Sequence, residues 1–201
     1  MSDFIDIIVK GGAVMAPLLA CSIIGLAVVI ERWLFWRRIG NRQTAESLLD
    51  LVERGELNKA AESARHTDSP MARVLASGLT HRHAMTKALE VAAQGEVPVL
   101  KQRLTILDTI ITLAPLLGLL GTVTGMIGSF GIMSQAGMGQ PHAVTGGVAE
   151  ALIATATGLL IAILTLVPYN YFSNRAEREM EEIEYYASRL ELAVGGREEK
   201  K

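Results

Sequence analysis

Asp108-Thr-Ile-Ile-Thr-Leu-Ala-Pro115-Leu-Leu-Gly118-Leu-Leu-Gly121-Thr122-Val-Thr124-Gly125, continuing to Met133, and Glu150-Ala-Leu-Ile-Ala-Thr155-Ala-Thr157-Gly158-Leu, continuing to Asn174, decide the fold. Each stretch is long enough to cross a bilayer as a helix, which takes about 20 apolar residues. The connection between them is rich in glycine and carries no Lys or Arg. Both stretches hold hydroxyls and glycines where a plain lipid anchor would hold leucine and valine. That composition predicts a helical hairpin built for close packing, with something polar handled inside the membrane.

The charge inventory sharpens this. No Asp, Glu, Lys, Arg or His occurs from Thr109 to Pro141 or from Ala151 to Asn174. Glu150 is the one carboxylate within reach of the membrane zone. A charge at the bilayer midplane costs roughly 3 kcal/mol on insertion scales and usually serves a function. If protons cross here, the group that titrates at the centre comes from another chain. Threonine hydroxyls donate and accept hydrogen bonds, so they can line a wet path, but they do not store a proton near neutral pH.

On a helix, Thr112, Pro115, Gly118, Thr122, Gly125 and Ser129 follow spacings of three and four and share a face. Gly118 and Thr122, Gly121 and Gly125, and Gly125 and Ser129 are small residues four apart, the pattern that lets membrane helices approach closely. In the second stretch Ala151, Thr155, Gly158, Ala162 and Thr165 form one stripe, and Glu150, Ala154, Thr157 and Ile161 an adjoining one. Thr155 and Thr157 therefore point in different directions. The competing reading is that each threonine bonds its own helix four residues back, that glycine and proline are common in membrane helices anyway, and that Glu150 sits at the headgroups.

Working outward, Gly11 to Ile30 is free of charge and predicts a further spanning helix over 11–33, with Trp33, Phe35 and Trp36 as interfacial anchors. Leu18-Leu19-Ala20-Cys21 resembles a lipoprotein cleavage box. However, apolar sequence continues past Cys21, and Asp3 and Asp6 are wrong for a positive leader. Residues 1–10 read as an interfacial amphipathic segment. Residues 34–107 read as a helical lobe rather than an enzyme domain. Ala45, Leu48, Leu49 and Val52 form one helical stripe, and Leu57, Ala60, Ala61 and Ala64 a second beyond Gly55. Met71, Val74, Leu75 and Leu79 form a third after the stop and restart at Asp68-Ser69-Pro70. A longer helix is expected from Ala84 through Leu107 directly into the second span, kinked or broken at Pro98.

The remaining segments are the span 108–133, an outer loop 134–146, the span 147–174 and a tail 175–201. Met180, Ile183, Ala187, Leu190 and Val194 predict that the third helix leaves the membrane as an amphipathic rod facing a partner helix and stops at Gly195-Gly196.

Of 19 Lys and Arg, only Lys10 precedes the first span and none lies in the outer loop. The positive-inside rule then predicts the N-terminus outside and the C-terminus in the cytoplasm. Half the 201 residues are apolar and the net charge is −2, which speaks for a small multi-pass membrane protein and against a nucleic-acid partner. One cysteine, Cys21, excludes an intrachain disulfide and reads as a packing residue. His81, His83 and His142 read as solvated or loop residues, with no ligand spacing around them and hence no metal site. There is no nucleophile set and no phosphate loop, so no enzyme and no cofactor is expected.

Ala114-Pro115-Leu-Leu-Gly118-Leu-Leu-Gly121-Thr122-Val-Thr-Gly125 and Glu150-Ala-Leu-Ile-Ala-Thr155-Ala-Thr157-Gly158-Leu resemble the second- and third-helix signatures of the ExbB/TolQ/MotA proton-channel family. Glu31-Arg32, just past the first helix, fits too. Three spans make the chain more similar to ExbB and TolQ than to the flagellar stator. The resemblance implies a homopentameric ring in the bacterial inner membrane around an ExbD- or TolR-like single-span partner whose membrane Asp carries protons. It also implies a TonB- or TolA-like protein that receives the stroke across the periplasm. It assigns channel-lining roles to Thr122, Thr155 and Glu150. Thr157 and Thr112 join them from the stripes, with Pro115, Gly118, Gly121, Gly125 and Gly158 as packing residues. Thr124 departs from relatives that carry Trp there. Energising TonB-dependent outer-membrane transport is the leading expectation. TolQ-like service in envelope integrity and cell division is the alternative, and a passive membrane scaffold is the alternative of another class.

Overall fold

The structure, a computed structural model, describes residues 11–39, 42–136 and 141–198; the segment 1–10 lies outside them. Every helix or strand among the described residues is helical: α1 (Met15–Arg38), α2 (Arg42–Glu53), α3 (Leu57–Arg65), α4 (Pro70–Thr80), a 3-10 turn (Arg82–Ala84), α5 (Met85–Leu100), α6 (Leu104–Ala136) and α7 (Pro141–Glu198). Three of the helices, α1, α6 and α7, contain stretches long and apolar enough to cross a membrane. The chain divides into two compact units, Met1–Glu31 with Arg103–Tyr171, and Arg32–Gln102 with Phe172–Lys201. They are called here the spanning unit and the lobe.

In the spanning unit α6 and α7 pack through their smallest residues. A Cβ on Gly118 would lie 2.9 Å from Thr155 Cα, and one on Gly121 2.6 Å from Ala154 Cβ. A Cβ on Gly125 would lie 3.0 Å from both Ala151 Cβ and the Gly147 carbonyl, and one on Gly158 would strike the Ala114 carbonyl. Glycine here serves close backbone approach, which is what holds helices together where lipid is as apolar as leucine. α1 adds Met15, Leu18 and the buried Cys21, which pack with Ile110, Ala114 and Ile161. Large apolar side chains point away from this core: Ile23, Leu26, Leu116, Leu119, Ile127, Leu159, Ile163 and Val167 are all exposed.

The lobe is ordered by ordinary soluble-protein rules. Gly55 ends α2 with φ +88°, a conformation open to glycine. Ser69 caps α4 by accepting from the Ala72 amide at 3.1 Å, with Pro70 at the first helical position, so the predicted restart is a capped N-terminus. The faces of α2 and α3 bury Leu48, Leu49, Val52, Ala60 and Ala64, and α4 buries Met71, Val74, Leu75 and Leu79. Arg73 donates to both carboxylate oxygens of Glu96 at 2.8 and 2.7 Å and reaches Asp68 at 2.9 Å. The hydrogen bond to Glu96, then the nearby acids, hold its guanidinium even more firmly protonated than usual.

Several expectations are corrected. The helix expected from Ala84 into the second span is two helices, and the break is not at Pro98, which lies inside α5. It comes at Arg103, whose φ of +63° turns the chain before α6 begins at Leu104. Pro98 lacks the amide that would bond the Gln94 carbonyl four residues back, yet α5 runs on through it; the Arg32 guanidinium donates to the Val99 carbonyl at the end of α5 at 3.4 Å. Arg103 pairs with Glu31 at 3.4 Å, a half-exposed ion pair that returns only part of the roughly 1 kcal/mol or more that a left-handed non-glycine residue costs.

α1 runs on through Glu31-Arg32 to Arg38, well past the expected end at Trp33. Trp36 is therefore no interfacial anchor. It is buried, with the Arg175 guanidinium 5.7 Å from its ring. Arg32, one residue past the lobe boundary, is 1% exposed and stacks 4.3 Å from the Phe35 ring. Trp33 is exposed, as an anchor would be.

α6 continues to Ala136 and α7 starts at Pro141, so of the loop expected over 134–146 the described residues 134–136 and 141–146 are helical. α7 also runs straight through Gly195-Gly196. Its rod buries Phe172, Ala176, Ile183, Tyr186, Leu190 and Val194 within the chain's own lobe, not on a separate partner helix. The Tyr186 hydroxyl donates to Glu46 of α2 at 2.8 Å, and Arg189 reaches the same carboxylate at 3.1 Å. That hydrogen bond, and then the Arg189 charge, hold the Glu46 carboxyl below the usual range.

Candidate functional site

The seam between α6 and α7 separates the candidate residues into two groups. The α6 residues that meet α1 are Ile110, Leu117 and Gly121. At about 100° per residue they lie on one flank of Gly118; Pro115, Thr122 and Thr112 lie on the other. On α7 the same arithmetic places Thr155 and Glu150 about 140° apart. Their contacts agree. The Thr155 hydroxyl donates across the seam to the Gly118 carbonyl at 2.7 Å. The Glu150 carboxylate instead lies against Gly12, ahead of α1, which holds φ +73° and leaves no room for a Cβ beside Glu150 Oε1. Thr157 is on the Glu150 flank.

The hydroxyls differ in what they bond. Thr112 donates to the Asp108 carbonyl at 3.1 Å, Thr122 to Leu119 at 2.7 Å and Thr157 to Ile153 at 2.8 Å, each within its own helix. Thr155 alone of the four threonines reaches a different helix. It can do so because Gly118 presents bare backbone where any side chain would stand in the way. Thr112 is exposed and Thr122, Thr155, Thr157 and Glu150 are half-buried. An own-helix bond uses the hydroxyl proton and leaves the oxygen lone pairs free to accept. Each of these groups therefore remains able to receive a hydrogen bond from water or from a protonated acid.

Of the packing residues, Gly118, Gly121, Gly125 and Gly158 meet in the seam. Pro115 lies inside α6, half-buried on the Thr122 flank.

Two further polar residues join Glu150 around one cavity. Thr124 donates to the Leu120 and Gly121 carbonyls at 2.9 and 3.2 Å, and the buried Ser129 to Gly125 at 2.9 Å. Both border a cavity of about 390 Å³ that also touches Glu150 and the turn ahead of α1. Their spacing on α6 was visible in the sequence. That α1 would meet that flank was not, because α1 itself carries no polar stripe.

The site therefore consists of hydroxyls and one carboxylate on the α6–α7 hairpin. Comparison with known proteins gives the family. Residues 66–185 match the model of the MotA/TolQ/ExbB proton channel family. The chain is 39% identical over 190 residues to the biopolymer transport protein named ExbB-like 3 of Synechocystis, covering 90% of each chain. It is 37% identical over 198 residues to ExbB-like 1 of the same organism, covering 94% of this chain and 78% of the relative. It is 39% identical over 89 residues to the Tol-Pal system protein TolQ of Haemophilus influenzae, covering 44% of this chain and 39% of that one. With its three apolar helices and these matches, the chain belongs to the MotA/TolQ/ExbB proton channel family.

Proposed function

We propose that this chain is an ExbB-like subunit of a bacterial inner-membrane proton channel that uses the proton motive force, with an ExbD-like single-span partner, to energise TonB-dependent outer-membrane transport. The subunit is placed N-out and C-in, with the lobe in the cytoplasm, and forms a homopentameric ring. The observation that carries the reading is the hairpin itself. It packs through Gly118, Gly121, Gly125 and Gly158, and its open flank offers Thr112, Thr122 and Thr155, with no titratable side chain among the described residues from Thr109 to Ala136. Such a flank suits a carboxylate brought by a partner.

In this scheme protons enter near Glu150, neutralise a partner Asp level with Thr122 and Thr155, and leave toward the cytoplasm. The driving force is about 2.3 kcal/mol per charge per 100 mV. The neutral acid passes the apolar surface, and the ionised acid settles against hydroxyls, an alternation able to turn a ring around its axle. The likeness to TolQ proteins over 44% of the chain favours, as a second reading, service in a Tol-Pal-type system. The single-span protein that co-purifies, and whether TonB- or TolA-like genes lie beside it, separates the two.

The test is Thr155→Val, which is nearly isosteric and removes the hydroxyl, set beside Thr155→Ser, which keeps it. With the partner co-expressed, the valine variant should assemble and lose energised uptake, and the serine variant should retain most of it. Uptake that survives in the valine variant defeats the proton-path role and leaves a packing scaffold.

A further inference from the structure

The cavity that borders Glu150 lies on the opposite flank of the hairpin from the Thr122 and Thr155 groove. Its walls come from Gly11 ahead of α1, from Thr124, Gly128 and Ser129 of α6, and from Glu150 of α7. All of these belong to the spanning unit of a single chain. The volume of about 390 Å³ has room for on the order of ten waters at about 30 Å³ each. The lining is polar in one sense only. The Thr124 and Ser129 protons are committed to backbone carbonyls, so their oxygens face outward as acceptors beside a carboxylate. Among the described lining residues there are acceptors and an anion but no cation, a set that favours hydrated protons and small cations over anions. The groove side is shut off by the seam, where Gly125 and Ala151 leave no room for even a methyl group.

We propose that this cleft is an aqueous inlet to Glu150, built within one subunit and separate from the groove that carries Thr122 and Thr155. The inference rests on and deepens the proton-channel reading by giving Glu150 its own route to water, beside the turn that holds Gly12. Glu150 then equilibrates with the outer solution without a proton first passing through the partner-facing groove.

The test reads water access directly and needs no transport. In native membranes containing the chain with its partner, and with Cys21 replaced by Ser, Thr124→Cys and Ser129→Cys are exposed to a membrane-impermeant methanethiosulfonate cation added from outside. The thiolate, which forms where water reaches the sulfur, attacks the reagent's sulfenyl sulfur, forms a mixed disulfide and expels methanesulfinate. Both positions should react about tenfold faster or more than Leu120→Cys, an exposed apolar position on the lipid side. A cationic reagent should outpace an anionic one, and Glu150→Gln should abolish that preference.

Gly128 has open space around its Cα and borders the cavity. Gly128→Leu should fill the inlet and slow both reactions about tenfold. Gly131→Leu, which also has free space but does not border the cavity, should change neither. Labelling no faster than at Leu120→Cys, or labelling indifferent to Gly128→Leu, overturns the proposal. Fast labelling together with full uptake by Thr155→Val would leave the inlet standing and remove the channel reading, so the two fail separately.

Discussion

The spanning unit and the lobe solve the same packing problem in opposite ways. In the lobe, leucine and valine are inside: Val52, Val74, Leu75 and Leu100 are fully buried, and charged side chains form the exterior. In the spanning unit many large apolar residues are outside and the α6–α7 seam is made of glycine and alanine, with Met15, Leu18, Ile110 and Ile161 buried beside it. Water drives the lobe together by expelling apolar surface. Lipid exerts no such force between helices, so close contact and interhelical hydrogen bonds must do it. Polar groups follow the same division. In the lobe they pair as ions, as Arg73 does with Glu96. In the hairpin they are hydroxyls satisfied by backbone carbonyls.

The contrast can be broken most forcefully by one substitution made in both units. Leu75→Ala in the lobe should cost about 2–5 kcal/mol, because the side chain is wholly buried and leaves a cavity. Leu164→Ala, at 65% exposure on α7, should cost nearly nothing. Thermal unfolding in a mild detergent measures both, and equal losses would show that the two cores do not differ in kind. Next comes the seam. Gly158→Val drives its side chain into the Ala114 backbone and should cost at or above the upper end of the usual 1–3 kcal/mol for overpacking. It should loosen α6 from α7 and leave the lobe's own transition in place. Cross-linking of cysteines placed at the seam reads the first effect and circular dichroism the second. A variant with unchanged cross-linking would remove close approach as the reason for glycine there.

The smallest effect sharpens the electrostatic side of the comparison. The Tyr186 hydrogen bond and the Arg189 charge hold the Glu46 carboxyl below its ordinary range. A carboxylate depressed in the folded state adds stability that is complete above its unfolded value, about 4.3, and disappears as pH falls through the folded value. The difference in melting temperature between the native chain and Glu46→Gln should therefore be present at pH 7, small because the group is exposed, and fade as pH falls from the unfolded value through the lower folded one. A difference that does not shrink with falling pH would assign the effect to packing of the rod, not to charge.

The sequence alone determined the three apolar helices, the capped restart at Ser69-Pro70, the lobe stripes and the small-residue face of α6, because each is a periodic property of one segment. The paired motifs around Thr122 and Glu150 were enough to reach the family. Other features depended on which segments meet. Arg103 rather than Pro98 breaks the chain before α6, at a turn where Arg103 pairs with Glu31 and where Arg32, 67 positions before Val99, donates to the Val99 carbonyl at the end of α5. Trp36 is drawn inside beside Arg175, and the α7 rod folds back onto α2 through Glu46. The helical wheel already sets Glu150 about 140° from Thr155, but that the first segment fills the Glu150 flank came only from packing. A helical wheel gives the angle between side chains, but which neighbour fills each angle is settled by contact surfaces from distant parts of the chain.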